Sequence, residues 1–271
     1  MRNFSCPAII LNVKISGENN RNITIFSPDE KAPGISFATL YGGPKSKLRS
    51  LVSPMNAGII YLYKDEQKNQ TKITDFDVKK YHLSFRENLF KTWAADLSAE
   101  ILIKTKCAGS PEEAWKIENG LLDGMELSDE AESRAGLVRF LWRYLEILGV
   151  KPDTKFCVQC GESLHSRKFY GNLSENALSS RYVFDIAENG FVCPDCAKTQ
   201  NAAESNVLSA FSLGKESITY LEAVSSLEPK ESRKIKLDSI SLNEIKSLVY
   251  FLTEQVCGSR LKTLASGIGI L

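Results

Sequence analysis

Two cysteine pairs are the part of this sequence best equipped for chemistry. Cys157 and Cys160 stand two residues apart in CVQCGE, and Cys193 and Cys196 repeat that spacing in CPDC after 32 intervening residues. Four uses are open to such hooks: a disulfide staple, a redox pair, a catalytic metal site or a structural one. A CxxC turn brings two sulfurs within reach of one tetrahedral ion, and zinc takes four thiolates at structural sites. Four cysteines leave no coordination position for water or substrate, which argues against catalysis by the metal. A zinc deaminase needs His-x-Glu and then Pro-Cys-x-x-Cys. Here Ser166 and Arg167 follow His165, and Phe191 and Val192 precede Cys193. A thioredoxin-type pair would sit in a βαβ context, and nothing would call for two of them. We therefore expect Cys157, Cys160, Cys193 and Cys196 to hold one structural zinc ion per chain. Gly161 suits the tight turn, from which a backbone N–H can point at sulfur. The hooks bracket about 40 residues, too few to bury a sufficient core unaided. Cys6, Cys107 and Cys257 are isolated and read as core or surface thiols.

A second stretch, YGGPKSKLRS from Tyr41 to Ser50, has the composition of a phosphate contact. Two glycines and a proline end a strand-like run. Lys45, Lys47 and Arg49 then follow at alternate positions, with hydroxyls at Ser46 and Ser50. Flexible backbone, clustered cations and small donors suit a nucleic-acid backbone. The same composition also describes a solvated surface loop. The stretch is not a P-loop, because GxxxxGK[ST] is absent. Arg21, Lys14 and the aromatics Phe26, Phe37 and Tyr41 could extend the surface, although aromatics at strand spacing more commonly build a core than a stacking platform. For enzymes the inventory is poor, with no GxSxG, HExxH or GxGxxG. His82 stands before a helix as a surface or capping residue. Asp96 and Glu100 share a helical face, as solvent-facing or ion-paired carboxylates do. We expect no catalytic activity.

The elements that must position these groups are legible in the apolar periodicity. A chain of 271 residues suggests two or three units. Net charge is +1, but residues 1–80 carry 12 Lys and Arg against 7 Asp and Glu, whereas residues 81–154 carry 9 against 13. A basic first unit points to an anionic partner. Strand-length runs occur at Ala8–Val13, Ile23–Phe26, Ile35–Tyr41, Ile59–Tyr63 and Lys72–Phe76, separated by turn clusters such as SGENNRN. Five short strands in 80 residues fit a closed barrel. Phe85, Leu89, Trp93, Leu97 and Ile101 then recur at every fourth position, one face of a helix. Further helices are expected over Pro111–Leu127, Arg134–Leu148, Ser205–Phe211, Ile218–Leu227 and Leu242–Val256, the last opened by a capping box of Ser241 and Glu244. The expected organisation is α+β and multidomain: a barrel over 1–80, a helical domain over 81–154 and 201–271, and a metal-binding insertion over 155–200. The opening MRNFSCPAIILNVKIS alternates like a strand and lacks a cleavage site, and no run reaches the roughly 20 apolar residues of a membrane span. The chain is thus expected to be soluble and cytosolic.

Taken together, these pieces resemble the RecO family of bacterial recombination and repair mediators. RNITIFS (Arg21–Ser27) looks like the family's second strand, and GISFATLYGGPKSKLRSLVSP (Gly34–Pro54) like its strand, glycine turn and basic loop. RFLWRYLEILGVKPDTKFCVQCGE (Arg139–Glu162) resembles the central helix, Leu-Gly turn and first hook. ENGFVCPDCA (Glu188–Ala197) resembles the second hook, and GSRLKTL (Gly258–Leu264) the C-terminal signature. The resemblance implies an N-terminal OB-fold, a helical domain and a zinc ribbon inserted into it. It also implies a non-enzymatic protein of the cytoplasm and nucleoid that binds single- and double-stranded DNA and anneals complementary strands without ATP. With RecR, such a protein helps load RecA onto DNA coated by single-strand-binding protein, whose acidic C-terminal tail it holds. Arg21, Lys45, Ser46, Lys47 and Arg49 are then the expected DNA contacts, and Arg139, Arg143 and Lys262 the expected contacts for the tail. Arg139 and Arg143 lie four apart on one helical face; the other reading of them is pairing with Glu146 or other acids of their own domain. The alternatives to a DNA mediator are a zinc-ribbon RNA-binding factor and a metal-dependent enzyme.

Overall fold

The computed structural model describes residues 2–43, 46–165, 181–203 and 211–271. The chain divides into two compact units, Met1–Leu137 with Val256–Leu271, and Val138–Gln255.

The first unit opens with five strands, β1 (Arg2–Ser16), β2 (Asn20–Ser27), β3 (Gly34–Leu40), β4 (Ala57–Asp65) and β5 (Gln70–Lys80). They close into a barrel in the order β1-β2-β3-β5-β4. Alternation along the strands builds the interior: Ala8 and Ile10, Ile23 and Ile25, Ala38 and Leu40, and Ile60 and Leu62 face one core, joined by Ile73 and Phe76 of β5 across a register shift. Closure depends on the length of β1. Its first half pairs with β4 from Arg2 to Ile9, and its second half with β2 from Ile9 to Ser16. A bulge between Ile10 and Asn12 bends the strand where it passes from one neighbour to the other. The parallel pair β3–β5, at Thr39 and Lys72, seals the ring. This is the OB-fold architecture, a five-stranded closed barrel.

The basic loop is more ordered than its composition suggests. It holds a single helical turn, α1 (Lys47–Leu51). Leu48 and Leu51 pack against the barrel core and Val52 is part of it, so the turn folds as a lid on one barrel end.

Three helices complete this unit: α2 (Leu89–Thr105), α3 (Pro111–Leu127) and α9 (Lys262–Ser266). The stripe expected from Phe85 onward is broken at Asn88, whose side chain accepts from the Lys91 N–H and caps α2, leaving Phe85 in a separate 3-10 turn, Leu83–Glu87. Ser110 caps α3 in the same way, with Pro111 at the first helical position. Trp115 of α3 meets Phe26 of β2 edge to face at 5.5 Å, covering that part of the barrel's outer wall. His82, expected as a surface or capping residue, takes the N-cap position of the 3-10 turn without a side-chain cap bond, and it is not at the surface. It is buried, its Nδ1–H donates to the Met55 carbonyl at 2.7 Å, and its Nε2 lies 3.3 Å from Asp123. Glu100 accepts the Lys262 and Thr263 N–H groups at 2.9 and 2.8 Å, so a distant carboxylate caps α9. Burial opposes ionisation of Glu100, but these N–H donors and Lys104 prevail and hold it below the usual range.

α4 (Glu130–Ile147) has residues in both units. The second unit adds a three-stranded sheet in the order β7-β6-β8, from β6 (Tyr182–Asp185), β7 (Gly190–Val192) and β8 (Phe211–Leu213). Its other elements are α5 (Pro194–Ala203), α6 (Lys215–Ser226), the turn α7 (Pro229–Ser232) and α8 (Ser239–Val256). Trp142 is fully buried, and its indole N–H donates to Ser225 at 3.0 Å. The helix expected over Ser205–Phe211 lies outside the described residues except for Phe211, which begins β8. The capping box at Ser241 is replaced by an Asp238 cap, which accepts from the Ile240 and Ser241 N–H groups at 2.8 and 2.9 Å. Glu244 is thereby released to bind the Gly214 N–H, the Ser217 hydroxyl and Arg181. Among the described residues no helix is long and apolar enough to cross a membrane.

Candidate metal centre and nucleic-acid interface

The second unit brings the four paired cysteines together, with all four sulfurs within 4.8 Å of one another. Cys160 and Cys193 Sγ are 3.9 Å apart. A tetrahedron with metal–sulfur bonds of about 2.3 Å has edges of about 3.8 Å, so the set fits one tetrahedral ion. Local structure explains the placement. The first hook is a tight turn in which the Gly161 N–H donates to the Cys157 carbonyl at 2.9 Å, and Gly161 has a φ of +70° that a side chain would strain. The expected N–H to sulfur bond exists but comes from across the site: the Cys193 N–H points at Cys157 Sγ at 3.3 Å. The Val158 N–H donates to the Phe191 carbonyl at 3.0 Å, which ties the first hook to the strand leading into the second. Val158 sits so close to Gly190 that a Cβ there would fall 2.2 Å from it. Cys196 lies in the first turn of α5, just after Cys193. Burial, followed by hydrogen bonding with Cys193 and Cys160, pushes its thiol up to about 12. Four sulfurs at this distance could be shared by one metal ion. His165 is no ligand, since its Nε2–H donates to the Thr154 carbonyl at 2.9 Å.

In the first unit the expected DNA contacts gather at the barrel end closed by α1. Arg21 faces Leu40 across β2 and β3, on the inward side at the rim. Its Nη1 reaches the carbonyl of Arg49 at 3.5 Å. The two arginines are thus neighbours, and each keeps a buried N–H with no partner among the described residues: Nε of Arg21 and Nη1 of Arg49. Burial and then the charge of Arg49 hold Arg21 below its usual range. Orphaned donors on paired like charges are costly unless an anion completes them. Lys47 is exposed on the outer side of α1, and Ser46 precedes the turn without a side-chain capping bond. Lys45 lies outside the described residues. The aromatics separate: Phe26 is buried under Trp115, whereas Phe37 and Tyr41 are 68% and 44% exposed on the outer wall. Lys72, which sequence reasoning did not single out, stands over the Tyr41 ring at 5.2 Å from its centroid. No local signal could have found it, because the contact joins the residue after β3 to β5.

The family described as Recombination protein O C terminal matches residues 119–265, just over half of the chain. The chain belongs to the RecO family. Two RecO relatives, both named DNA repair protein RecO, show the distance involved. The one from Syntrophobacter fumaroxidans (strain DSM 10017 / MPOB) is 22% identical over 196 residues, 72% of each chain. The one from Syntrophus aciditrophicus (strain SB) is 27% identical over 144 residues, 51% of this chain and 47% of the relative.

In this RecO chain the two arginines of α4 are engaged internally. Arg139 is 5% exposed and donates to the Tyr220 hydroxyl at 3.1 Å. Arg143 donates to the Val224 and Leu227 carbonyls at the end of α6 and to Ser232 at 2.9 Å, where a cation also meets the negative end of the helix dipole. Burial, then the charges of Arg139 and Arg233, hold Arg143 below its usual range. Glu146, an expected partner of these arginines, is instead paired with Lys151 at 2.7 Å. Lys262 presents an exposed side chain in the other unit.

Proposed function

We propose that this chain is a DNA-binding mediator of recombinational repair that anneals complementary strands without ATP. With RecR, it helps load RecA onto DNA coated by single-strand-binding protein. The observation that carries the reading is the pair Arg21 and Arg49, whose orphaned, buried donors suit phosphate oxygens, in a member of a recombination family. The barrel supplies Arg21, Lys45, Ser46, Lys47 and Arg49 to the backbones of two strands. Neutralising their charge lowers the repulsion between them, and base pairing supplies the free energy. The zinc ion is structural: Cys157, Cys160, Cys193 and Cys196 saturate it, and it holds the hook region in shape. For the acidic tail of single-strand-binding protein we propose Arg139, Arg143 and Lys262 as contacts. The arginines would exchange internal acceptors for the tail's carboxylates, while Lys262 needs no exchange. The protein acts in the cytoplasm at the nucleoid.

The deciding experiment mixes two complementary oligonucleotides coated with the cognate single-strand-binding protein. Wild type is expected to accelerate duplex formation without ATP, and a rate equal to that of the coated strands alone rejects the reading. A second measurement tests the site. Arg21→Ala and Arg49→Ala are each expected to lower the salt slope of single-strand binding by about 0.7 per lost phosphate contact and to weaken all sequences alike. An unchanged slope in both variants removes the barrel rim from the DNA interface.

A further inference from the structure

The rim arginines account for phosphate but not for the exposed aromatics beside them. Phe37 and Thr39 stand on the outer side of β3, and Tyr41 follows at the same spacing just past its end. Phe37 and Tyr41 therefore stand about 13 Å apart along the strand. In register across the wall, Thr39 faces Lys72 of β5, and Lys72 faces Tyr63 of β4. An aromatic and cationic strip thus crosses three adjacent strands. It lies at the phosphate-binding end, since Tyr41 directly follows Leu40, the cross-strand partner of Arg21. In the parallel register β5 runs on past Tyr41 to the exposed Asp75 and Asp77, the latter paired with Lys79. Phe26 has the same chemistry and an outward position on β2, yet α3 covers it. Phe37 has no such cover and remains mostly exposed.

We propose that the outer faces of β3, β5 and β4 form a base-stacking strip for single-stranded DNA, with Phe37 and Tyr41 as its aromatic platforms and Lys72 as its cation. The proposal rests on the DNA-binding reading above and adds the class of strand that this wall takes. A duplex keeps its bases stacked on one another and presents phosphates to the rim. A single strand can also lay unstacked bases on rings, and every base has a face to offer. Lys72 holds the Tyr41 ring from one side and carries a positive charge toward the strand.

The test compares three probes at fixed salt: an oligo-dT strand, an abasic strand of the same length, and a duplex. Phe37→Ala and Tyr41→Ala are each expected to weaken oligo-dT binding on the order of tenfold. Abasic and duplex binding, and the salt slope on every probe, stay as in wild type. Phe37→Trp keeps a stacking ring, so its affinity for oligo-dT is retained and its fluorescence falls with oligo-dT but not with the abasic strand. Equal affinity of both alanine variants and wild type for oligo-dT overturns the proposal. Equal losses on oligo-dT and the abasic strand also overturn it, because the effect is then not one of bases. Wild type that binds none of the three probes overturns the DNA-binding reading itself, a result distinct from either.

Discussion

Replacement of Cys193 by serine is expected to strip the metal from the chain and unfold the hook region, while the barrel remains folded. Cys157 and Cys193 are 2% and 1% exposed, so the centre forms part of a core. Tyr182, Phe184, Phe191, Val192, Leu213 and Leu164 complete that core, with Phe184 and Phe191 edge to face at 5.4 Å. Metal-coupled folding of small zinc modules is worth about 10–16 kcal/mol, as much as the whole stability of an ordinary domain. Loss of one ligand of four forfeits most of it and leaves three thiols crowded in a buried space. Elemental analysis should give one zinc per wild-type chain and near none in Cys193→Ser. Amide exchange should become fast over β6 and β7 while β1 to β5 keep their protection. A metal-free variant with normal protection in β6 and β7 refutes a structural role for the ion.

The second large effect concerns a buried carboxyl of the first unit. Glu118 of α3 is fully buried; it accepts from the Ser98 hydroxyl of α2 at 2.9 Å, and its Oε2 has no partner among the described residues. Burial, opposed only by that hydrogen bond, pushes Glu118 up to about 8 from its ordinary 4.5. Below about pH 4.5 the carboxyl is protonated in both the folded and the unfolded chain. Between that value and 8 the unfolded chain releases a proton that the folded chain retains, so stability falls as pH rises, by up to about 1.4 kcal/mol per unit. Glu118→Gln stays neutral throughout and still offers an oxygen to Ser98. It is expected to match wild type near pH 4.5 and to exceed it by several kcal/mol at pH 8. Urea unfolding at pH 5, 6.5 and 8 measures the gap. Parallel profiles for the two proteins would mean that Glu118 ionises without penalty.

The local patterns of this sequence were sufficient for the barrel strands and for the cysteine cluster. Strand alternation depends only on which side chains face inward, so Ile23, Ile25, Ala38 and Leu40 could be recognised as barrel core from spacing alone. The cysteine hooks are legible for the same reason: each pair is set by a turn of four residues, and only the meeting of the two pairs needs tertiary structure. What the tertiary structure alone decided is everything that depends on cover. Phe26 and Phe37 are equivalent in the sequence, and the arrival of Trp115 buries one and leaves the other open. Arg21 and Arg49 are 28 residues apart and become neighbours because α1 closes the rim of β2 and β3. Ser241 and Glu244 match a capping box, yet the competing Asp238 carboxylate takes the cap and frees Glu244 for three distant donors. Glu118 looks like an ordinary helical acid, and its burial follows from where α2 and α3 meet. In each case the deciding energy is desolvation or a long-range hydrogen bond, and neither exists until the chain has folded.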